Sequence, residues 1–283
     1  MPMQDERKRG GNRPNKPPAR HMDPYGYWPD ARDDDEDRDS GMIEGRNAVT
    51  EALRAGITID KVFIAKGEAD GALRHIASAA RAAGAVISEV DRRKLDFMSA
   101  THVHQGVIAL AAAVEYVTVG DILDIARNRG EEPLIIICDE ISDPHNLGAI
   151  IRTCEAAGAH GVIIPKRRSA GLTATVAKAS SGAVYHTAIA RVTNLTAAIA
   201  ELKKAGVWVF GASAGSGTPL WQTDFKGATA LVIGSEGAGI GRLVGENCDF
   251  NISIPMFGEI SSLNASVSAA ILMYEAVRQR RGV

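Results

Sequence analysis

The feature that most constrains the fold is a strict alternation of short apolar runs and amphipathic stretches from residue 134 to the end. The runs have the length of buried strands, and the stretches repeat apolar residues with the period of a helix. The predicted strands are 134–138, 162–164, 207–210, 230–233 and 252–254, and the predicted helices are 147–157, 194–205 and about 264–280. This order is typical of an α/β fold with a largely parallel sheet covered on both faces.

Parallel α/β sheets bind ligands at the carboxyl ends of their strands. The loops that follow Cys138, Phe210, Ile233 and Ile254 are therefore the places where we expect chemistry.

A second, smaller unit precedes this region. Residues 41–115 alternate helix and strand patterns in the same way, and they carry nine basic and nine acidic side chains. That balance gives no electrostatic sign of nucleic-acid binding. Residues 116–132 contain a short helical pattern and end in a Gly-Glu-Glu-Pro turn, so we expect a linker there. The sequence thus predicts a small α/β domain, a linker and a larger α/β domain over 133–283.

The first 40 residues differ from both domains in composition. They hold six of the 11 prolines, eight basic and ten acidic residues, and few apolar ones. Such a segment cannot bury enough apolar surface to fold, so we predict a disordered tail. Residues 1–20 carry six basic and two acidic groups. A contact with RNA and a plain solubilising extension both fit this charge.

Several classes of protein are excluded by what the sequence lacks. No run of about 18 apolar residues is present, and the first residues are charged, which argues against a membrane span and a secretory signal. The three cysteines, Cys138, Cys154 and Cys248, are too few and too scattered for a disulfide framework or a zinc site. We expect no metal and a cytoplasmic location.

One motif points to a different class of enzyme. Residues 211–215 read Gly-Ala-Ser-Ala-Gly after a predicted strand, which matches the nucleophile elbow of α/β-hydrolases. That fold needs a histidine after the serine, yet the last histidine of the chain is His186. Gly217 and Pro219 also interrupt the helix that an elbow requires. A turn of small residues is the better interpretation of Ser213.

The loop after residue 233 is rich in glycine. Gly234, Gly237, Gly239 and Gly241 fall within eight residues, where bare backbone can approach a ligand closely. The spacing is neither that of a dinucleotide fingerprint nor that of a P-loop. The loop is therefore predicted to hold a ligand against its backbone, but the glycine spacing does not identify that ligand.

The loops after Cys138 and Ile254, with the helices that follow them, contain polar residues that each have an ordinary structural explanation. Arg152 falls off the apolar stripe of its helix and fits a solvated residue or a surface ion pair. Ser262 or Asn264 fits a cap for the last helix. That helix is apolar on nearly all sides, which is typical of a buried helix. We therefore expect it to pack against a second subunit as well as its own sheet, giving a homodimer.

Taken in order, three motifs resemble the SpoU (TrmH-like) family of RNA methyltransferases. The first is Asn146-Leu147-Gly148-Ala149-Ile150-Ile151-Arg152, the second is Ile233-Gly234-Ser235-Glu236-Gly237, and the third is Ile254-Pro255-Met256 with Ser262-Leu263-Asn264-Ala265-Ser266-Val267-Ser268. The resemblance covers about 133–281. Residues 41–115, with Gly45-Arg46-Asn47-Ala48-Val49, resemble the ribosomal-protein-like substrate-binding domain of the RlmB-type branch, the 23S ribosomal RNA guanosine 2′-O-methyltransferases.

The resemblance implies a trefoil-knotted (SPOUT-type) catalytic domain, a homodimer, and S-adenosylmethionine as methyl donor. It implies that the backbone around Gly211, Gly234, Ile254, Ser262 and Leu263 holds the donor. It also implies that Arg152 is central to transfer onto a ribose 2′-hydroxyl. Asn146, Glu236, Ser262 and Asn264 would orient that arginine and the ribose. A guanidinium is effectively always protonated, so we expect Arg152 to grip a phosphate and stabilise the developing alkoxide rather than to act as a base.

For the RNA itself the expected contacts are basic side chains. Arg46 lies in the motif of the first domain, and Lys166, Arg167 and Arg168 form the best basic cluster outside the tail. A plain solvated turn explains the cluster equally well. The most specific expectation is methylation of a guanosine of 23S ribosomal RNA. A transfer RNA methyltransferase and a non-catalytic RNA-binding protein on the same fold are the alternatives.

Overall fold

The structure is a computed structural model that describes residues 41–67, 70–99, 101–213, 215 and 217–282. The tail predicted over 1–40 lies outside these residues. The described chain forms two sheets, one of four strands and one of seven. Within these residues, no helix is long and apolar enough to cross a membrane.

The first domain is a four-stranded mixed sheet with the strand order β1-β4-β2-β3. Two helices cover one face, and a third, shorter helix covers part of the other. Its elements are β1 (Met42–Glu44), α1 (Arg46–Arg54), β2 (Ile59–Ala65), α2 (Gly71–Ala82), β3 (Val86–Val90), α3 (Arg92–Met98) and β4 (Val107–Ala111).

The second domain is a seven-stranded sheet in which every strand pair is parallel, with the order β7-β6-β5-β10-β8-β11-β9. Its strands are β5 (Leu134–Cys138), β6 (Gly161–Pro165), β7 (Ile189–Val192), β8 (Trp208–Ala212), β9 (Thr218–Pro219), β10 (Thr229–Ile233) and β11 (Phe250–Ser253). Its helices are α4 (Val119–Arg129), α5 (Pro144–Ala156), α6 (Ala174–Ala179), α7 (Leu195–Lys204), α8 (Arg242–Glu246) and α9 (Ala265–Arg281), with 3₁₀ turns at Ala183–Tyr185 and Leu220–Gln222. The predicted parallel α/β sheet is confirmed.

The central strand β5 shows why the sheet is covered on both sides. All five of its residues are buried, and they alternate between two cores. Leu134, Ile136 and Cys138 pack with α5 and α9 on one face. Ile135 and Ile137 pack with α4 and α7 on the other. A strand buried on both faces reads as a continuous apolar run, which is why this strand was predictable to the residue.

The segment 116–132, where a linker is expected, is largely ordered as part of the second domain. Val119, Ile122 and Ala126 of α4 belong to one of its two cores. Thr118 caps this helix, and its hydroxyl and the Asp121 carboxylate bond each other's backbone N–H reciprocally. The connection between the two sheets is therefore the shorter segment 112–118.

Helix α5 begins earlier than its apolar stripe indicates. Asp143 caps it by accepting a hydrogen bond from the His145 amide at 2.9 Å, and Pro144 occupies the first turn. A proline costs nothing there, because its missing N–H would have had no helical partner. As a result Asn146 lies in the first turn of a helix rather than in a loop.

His160 ties the start of β5 to the end of the preceding loop. Its Nδ1 accepts a hydrogen bond from the Leu134 amide at 2.9 Å, and its Nε2 lies 3.0 Å from the Glu131 carboxylate. The first bond requires an unprotonated Nδ1. Burial lowers the pKa of His160, against the raising effect of Glu131.

This histidine should make stability depend on pH. Its folded pKa lies below the unfolded value of about 6.5, so the unfolded chain binds the proton first as the pH falls. We expect the free energy of unfolding to fall below about pH 6.5, with a slope of up to about 1.4 kcal/mol per pH unit from this group. Urea unfolding of His160→Asn should lack that component. The same substitution at exposed His75 should keep it; identical slopes in both variants would contradict the assignment.

Candidate active site

A cavity of about 650 Å³ opens at the carboxyl ends of β8, β10 and β11. Three loops supply its walls: the turn after β8, the glycine-rich loop after β10, and the segment between β11 and α9. Four of the five predicted donor-binding residues line it, namely Gly234, Ile254, Ser262 and Leu263. The fifth, Gly211, lies within β8 beside Cys248 and Asn251, and the lining begins at the next residue, Ala212.

The glycine-rich loop folds back on itself immediately after β10. The Ser235 and Gly239 backbones bond each other reciprocally, at 3.0 and 2.8 Å. This brings Gly239 directly over Gly234, where a Cβ would lie 2.1 Å from the Gly239 carbonyl carbon. Only glycine fits at position 234 without moving the loop. By contrast, a Cβ at Gly237 would meet no atom within 4 Å.

Asp139 holds the far end of the same loop. It follows β5 directly and is buried, and its Oδ2 accepts a hydrogen bond from the Gly241 amide at 2.7 Å. Burial raises the pKa of Asp139. No role was predicted for Asp139, although its position directly after a buried strand was a usable signal.

Three predicted polar residues from three separate motifs meet beside the cavity. The Asn146 amide donates to Glu236 Oε1 at 3.1 Å, and the Asn264 amide donates both to that oxygen and to Asn146 Oδ1, the latter at 2.9 Å. We call these residues the amide–carboxylate cluster. Asn264 also caps α9, because its Oδ1 accepts from the Ser266 and Val267 amides at 2.9 and 3.3 Å.

The structural and functional interpretations of Asn264 are thus compatible. Its side-chain oxygen satisfies the end of the last helix, while its amide group fixes Glu236. The Asn264 side chain thus contacts Asn146, which lies 118 positions earlier in the chain, and Glu236, which lies 28 positions earlier.

Arg152 lies on α5, six residues beyond Asn146, with an exposed side chain. No ion pair or hydrogen bond engages its guanidinium within the described part of the chain. Gly148, four residues before it, lets α5 approach α6 so closely that a Cβ there would lie 2.5 Å from the Ala179 Cβ. Among these described residues, Asn146, Glu236 and Asn264 make no hydrogen bond to Arg152, contrary to the expectation that they orient it. The guanidinium donors are therefore available to a ligand.

The predicted RNA-binding residues have different surroundings. Arg46 is engaged within the first domain, through an ion pair with Asp70 at 2.6 Å and a hydrogen bond to the Gln105 carbonyl at 3.0 Å. Arg168 pairs with Glu140 at 2.7 Å. Lys166 lies close to Gly84 of the first domain. Arg167 is exposed, and no partner for it is found among residues 41–67, 70–99, 101–213, 215 and 217–282.

The hydrolase interpretation fails structurally as well. The element that follows Ser213 is the short strand β9, whereas a nucleophile elbow leads into a helix. In addition, the described residues contain no cluster of side chains able to hold a metal ion. The three cysteines are unpaired.

Comparison with known families decides the class. Residues 133–274 match the model of the SpoU rRNA methylase family, and residues 42–117 match the RNA 2′-O ribose methyltransferase substrate-binding domain. The chain belongs to the SpoU methylase family. It is therefore an enzyme of the RNA 2′-O-ribose methyltransferase class, built from the catalytic domain and the substrate-binding domain that the sequence motifs indicated.

Individual relatives match most of the sequence of this SpoU methylase. It is 48% identical over 241 residues to YacO of Bacillus subtilis, a TrmH family tRNA/rRNA methyltransferase by name, covering 85% of this chain and 96% of that one. A TrmH family tRNA/rRNA methyltransferase of Staphylococcus epidermidis is 45% identical over 239 residues, covering 84% and 96%.

Solved structures share the fold. AviRb of Streptomyces viridochromogenes, a SpoU methyltransferase crystallised with S-adenosylmethionine, is 26% identical with a TM-score of 0.52, covering 86% of this chain and 91% of that one. The S-adenosylmethionine-bound rRNA methyltransferase of Sinorhizobium meliloti is 27% identical with a TM-score of 0.52, covering 86% and 88%.

Proposed function

We propose that this enzyme transfers a methyl group from S-adenosylmethionine to the ribose 2′-hydroxyl of a guanosine in 23S ribosomal RNA, in the cytoplasm. The observation that carries the proposal is the amide–carboxylate cluster at the rim of the Gly234 cavity, in a chain that also has an RNA substrate-binding domain. We further propose that the catalytic domain is knotted, as the family resemblance implies.

The cavity fits the proposed donor. Its volume of about 650 Å³ lies in the range of small-molecule and cofactor sites. Its glycines leave bare backbone at the wall, and its lining mixes backbone amides with apolar side chains such as Ile254 and Leu263. When bound, S-adenosylmethionine supplies an electrophilic methyl group on a sulfonium centre. Gly234, Ile254, Ser262 and Leu263 would hold it.

The protein's own contribution to the reaction is alignment and charge stabilisation. A hydroxyl that attacks a methyl group must be held in line and must lose its proton. We propose that Arg152 binds the RNA phosphate and stabilises the negative charge that develops on the 2′-oxygen, since its fork of fixed donors suits both tasks. The amide–carboxylate cluster orients the ribose and keeps the α5 and α9 ends together.

For RNA contact outside the reaction centre we propose Arg167. Arg167 is exposed, whereas Lys166 lies close to Gly84 and Arg168 already pairs with Glu140. Arg46, occupied by Asp70, would act by shaping its loop. A phosphate contact by Arg167 should reduce the slope of log affinity against log salt by about one unit in Arg167→Ala. An unchanged slope would mean that Lys166, Arg167 and Arg168 form a solvated turn that does not contact RNA.

We also propose a homodimer that buries the exposed apolar side chains near the cavity. Val267 and Tyr274 of α9 are 46% and 51% exposed, and Phe257 and Ile260 of the preceding loop are 90% and 71% exposed. Val267 and Tyr274 are seven residues apart and so share one face of α9. Exposed apolar side chains grouped on one face are typical of an interface, whereas isolated ones are normal. A monomeric mass in light scattering at micromolar concentration would contradict this.

The target RNA is best tested in cells. Ribose methylation should be mapped across ribosomal and transfer RNA with the gene intact, deleted, and restored as wild type or Arg152→Ala. We expect one 23S guanosine to lose its methyl group on deletion and to regain it only with the wild type. Loss at a transfer RNA position would favour that alternative substrate, and an unchanged map would favour a non-catalytic RNA-binding protein.

A further inference from the structure

A buried charged cluster joins the two domains and takes no part in the cavity described above. Asp60 of β2 and Arg191 of β7 form an ion pair with side chains only 5% and 8% exposed. Asp60 Oδ1 also accepts a hydrogen bond from the Tyr116 hydroxyl at 2.6 Å. The Arg191 guanidinium lies 4.3 Å from the centroid of the Tyr116 ring. We call these three residues the interdomain latch.

A strand irregularity places Asp60 in the latch. Ile59 pairs with Ala111 and the next paired residue, Lys61, with Leu110, so Asp60 is an extra residue with no partner on β4. Such a bulge turns a side chain away from the regular alternation of its strand. Here it delivers a carboxylate from the first domain to an arginine of the second, 131 positions later.

The second domain is shaped to receive that carboxylate. A Cβ at Gly171 would lie 2.3 Å from Asp60 Oδ2, so any larger residue would force the two apart. The Leu172 amide donates to the Tyr116 hydroxyl at 3.2 Å. Arg191 also reaches the Gly84 carbonyl of the first domain, at 3.4 Å.

The connecting segment is itself bonded to both sides. The Ala112 amide donates to the Thr58 carbonyl of the first domain at 2.8 Å. The Ala113 amide donates to the Leu172 carbonyl at 2.5 Å, and the Val117 amide to the Ile189 carbonyl at 3.0 Å, both in the second domain. Domains joined by a short connection are expected to move unless their interface prevents it. These bonds and the latch all oppose such motion.

Energetics favour a role in geometry over one in stability. Burying an ion pair gains little net stability over apolar packing, but a buried charge that loses its partner is costly. Within the described chain, Asp60 Oδ2 is buried without any hydrogen-bond partner. Other orientations of the two domains would separate Asp60 from Arg191 and leave a buried charge without its partner. The ion pair therefore permits few alternative orientations.

We propose that the interdomain latch fixes the orientation of the RNA-binding domain relative to the methyl-transfer cavity, so that Asp60, Tyr116 and Arg191 are positioning residues for large RNA substrates. They fix the distance and direction from RNA bound on the first domain to the ribose that is methylated at the cavity. The inference rests on the family's RNA substrate and not on the 23S target proposed above.

Two mild substitutions in the full-length enzyme test this. Tyr116→Phe keeps the ring under Arg191 and removes the hydroxyl that links Asp60 to Leu172. Gly171→Ala leaves every charge in place and wedges the domains apart. With total ribosomal RNA as substrate, we expect each to raise the KM for RNA by about tenfold. The kcat and the Kd for S-adenosylmethionine should stay within about twofold of the wild type.

Shape and fold are measured on the same samples. Small-angle scattering should show a larger radius of gyration in Gly171→Ala, while far-UV circular dichroism stays that of the wild type. Arg54→Ala is the control, because it breaks an exposed ion pair with Glu51 within the first domain and should change none of these quantities. An unchanged KM for RNA, or an equal loss of donor binding, would overturn the proposal. So would an activity loss that only tracks a loss of folded protein.

Discussion

Replacing Gly234 by alanine should abolish useful binding of S-adenosylmethionine. The new Cβ would lie 2.1–2.3 Å from backbone atoms of Gly239 and Ile240, and backbone cannot swing aside as a flexible side chain can. The loop 235–239 would have to open, which removes the wall of the cavity. Overpacking of this kind costs about 1–3 kcal/mol or more, so we expect the Kd to rise by about 100-fold.

A second glycine of the same domain provides a matched control. Gly227→Ala adds the same methyl group just before β10, at the end of the strand opposite the cavity, where no atom lies within 4 Å. Calorimetric titration of S-adenosylmethionine should give a wild-type Kd for Gly227→Ala and a Kd about 100-fold higher for Gly234→Ala. Circular dichroism should show both variants folded. Equal affinities in the two variants would mean that the donor does not bind against this loop.

Replacing Arg152 by alanine should abolish methyl transfer and leave donor binding intact. The guanidinium is exposed and does not line the cavity, so its loss should not disturb the donor. Removing one donor that stabilises a developing oxyanion costs about 10²–10³ in kcat, and Arg152 is proposed to hold the RNA phosphate as well. We expect a loss of about 1000-fold or more. Arg152→Lys should recover little, because an ammonium lacks the planar fork.

The measurements are single-turnover methyl transfer to RNA and calorimetry with S-adenosylmethionine. Arg127→Ala is the matched control, since Arg127 is an exposed helix arginine of the same domain whose ion-pair partner is Asp124. It should retain full activity. If Arg152→Ala loses transfer and donor binding to the same extent, then Arg152 supports the fold or the donor site instead. Full activity would remove it from the mechanism.

The regular part of the fold was predictable because its signals are local. The buried run of β5 and the apolar stripes of α5 and α9 carry their own periodicity, so the elements were found within a few residues. Short edge elements were missed, among them β1, β7, β9, α6 and α8. A strand of four residues or a helix of five has too few positions to show a period.

The site was predictable only in part. The three motifs supplied Asn146, Glu236 and Asn264, but no local pattern says that they touch, because that contact depends on how three loops are brought to one edge of a sheet. The interdomain latch was missed for the same reason. A carboxylate at a bulge, such as Asp60, has no signature in the sequence, since the bulge is defined by the partner strand.

Methyl transfer to a ribose is the activity on which the proposed roles of Arg152, Gly234 and the amide–carboxylate cluster all depend. The most direct measurement is to incubate the purified protein with methyl-labelled S-adenosylmethionine and ribosomal RNA, digest the RNA to nucleosides, and identify the labelled product by mass spectrometry. We predict that the labelled nucleoside is 2′-O-methylguanosine and that it is absent with Arg152→Ala and Gly234→Ala. Label on a base, or an unlabelled RNA in the presence of bound donor, would contradict it.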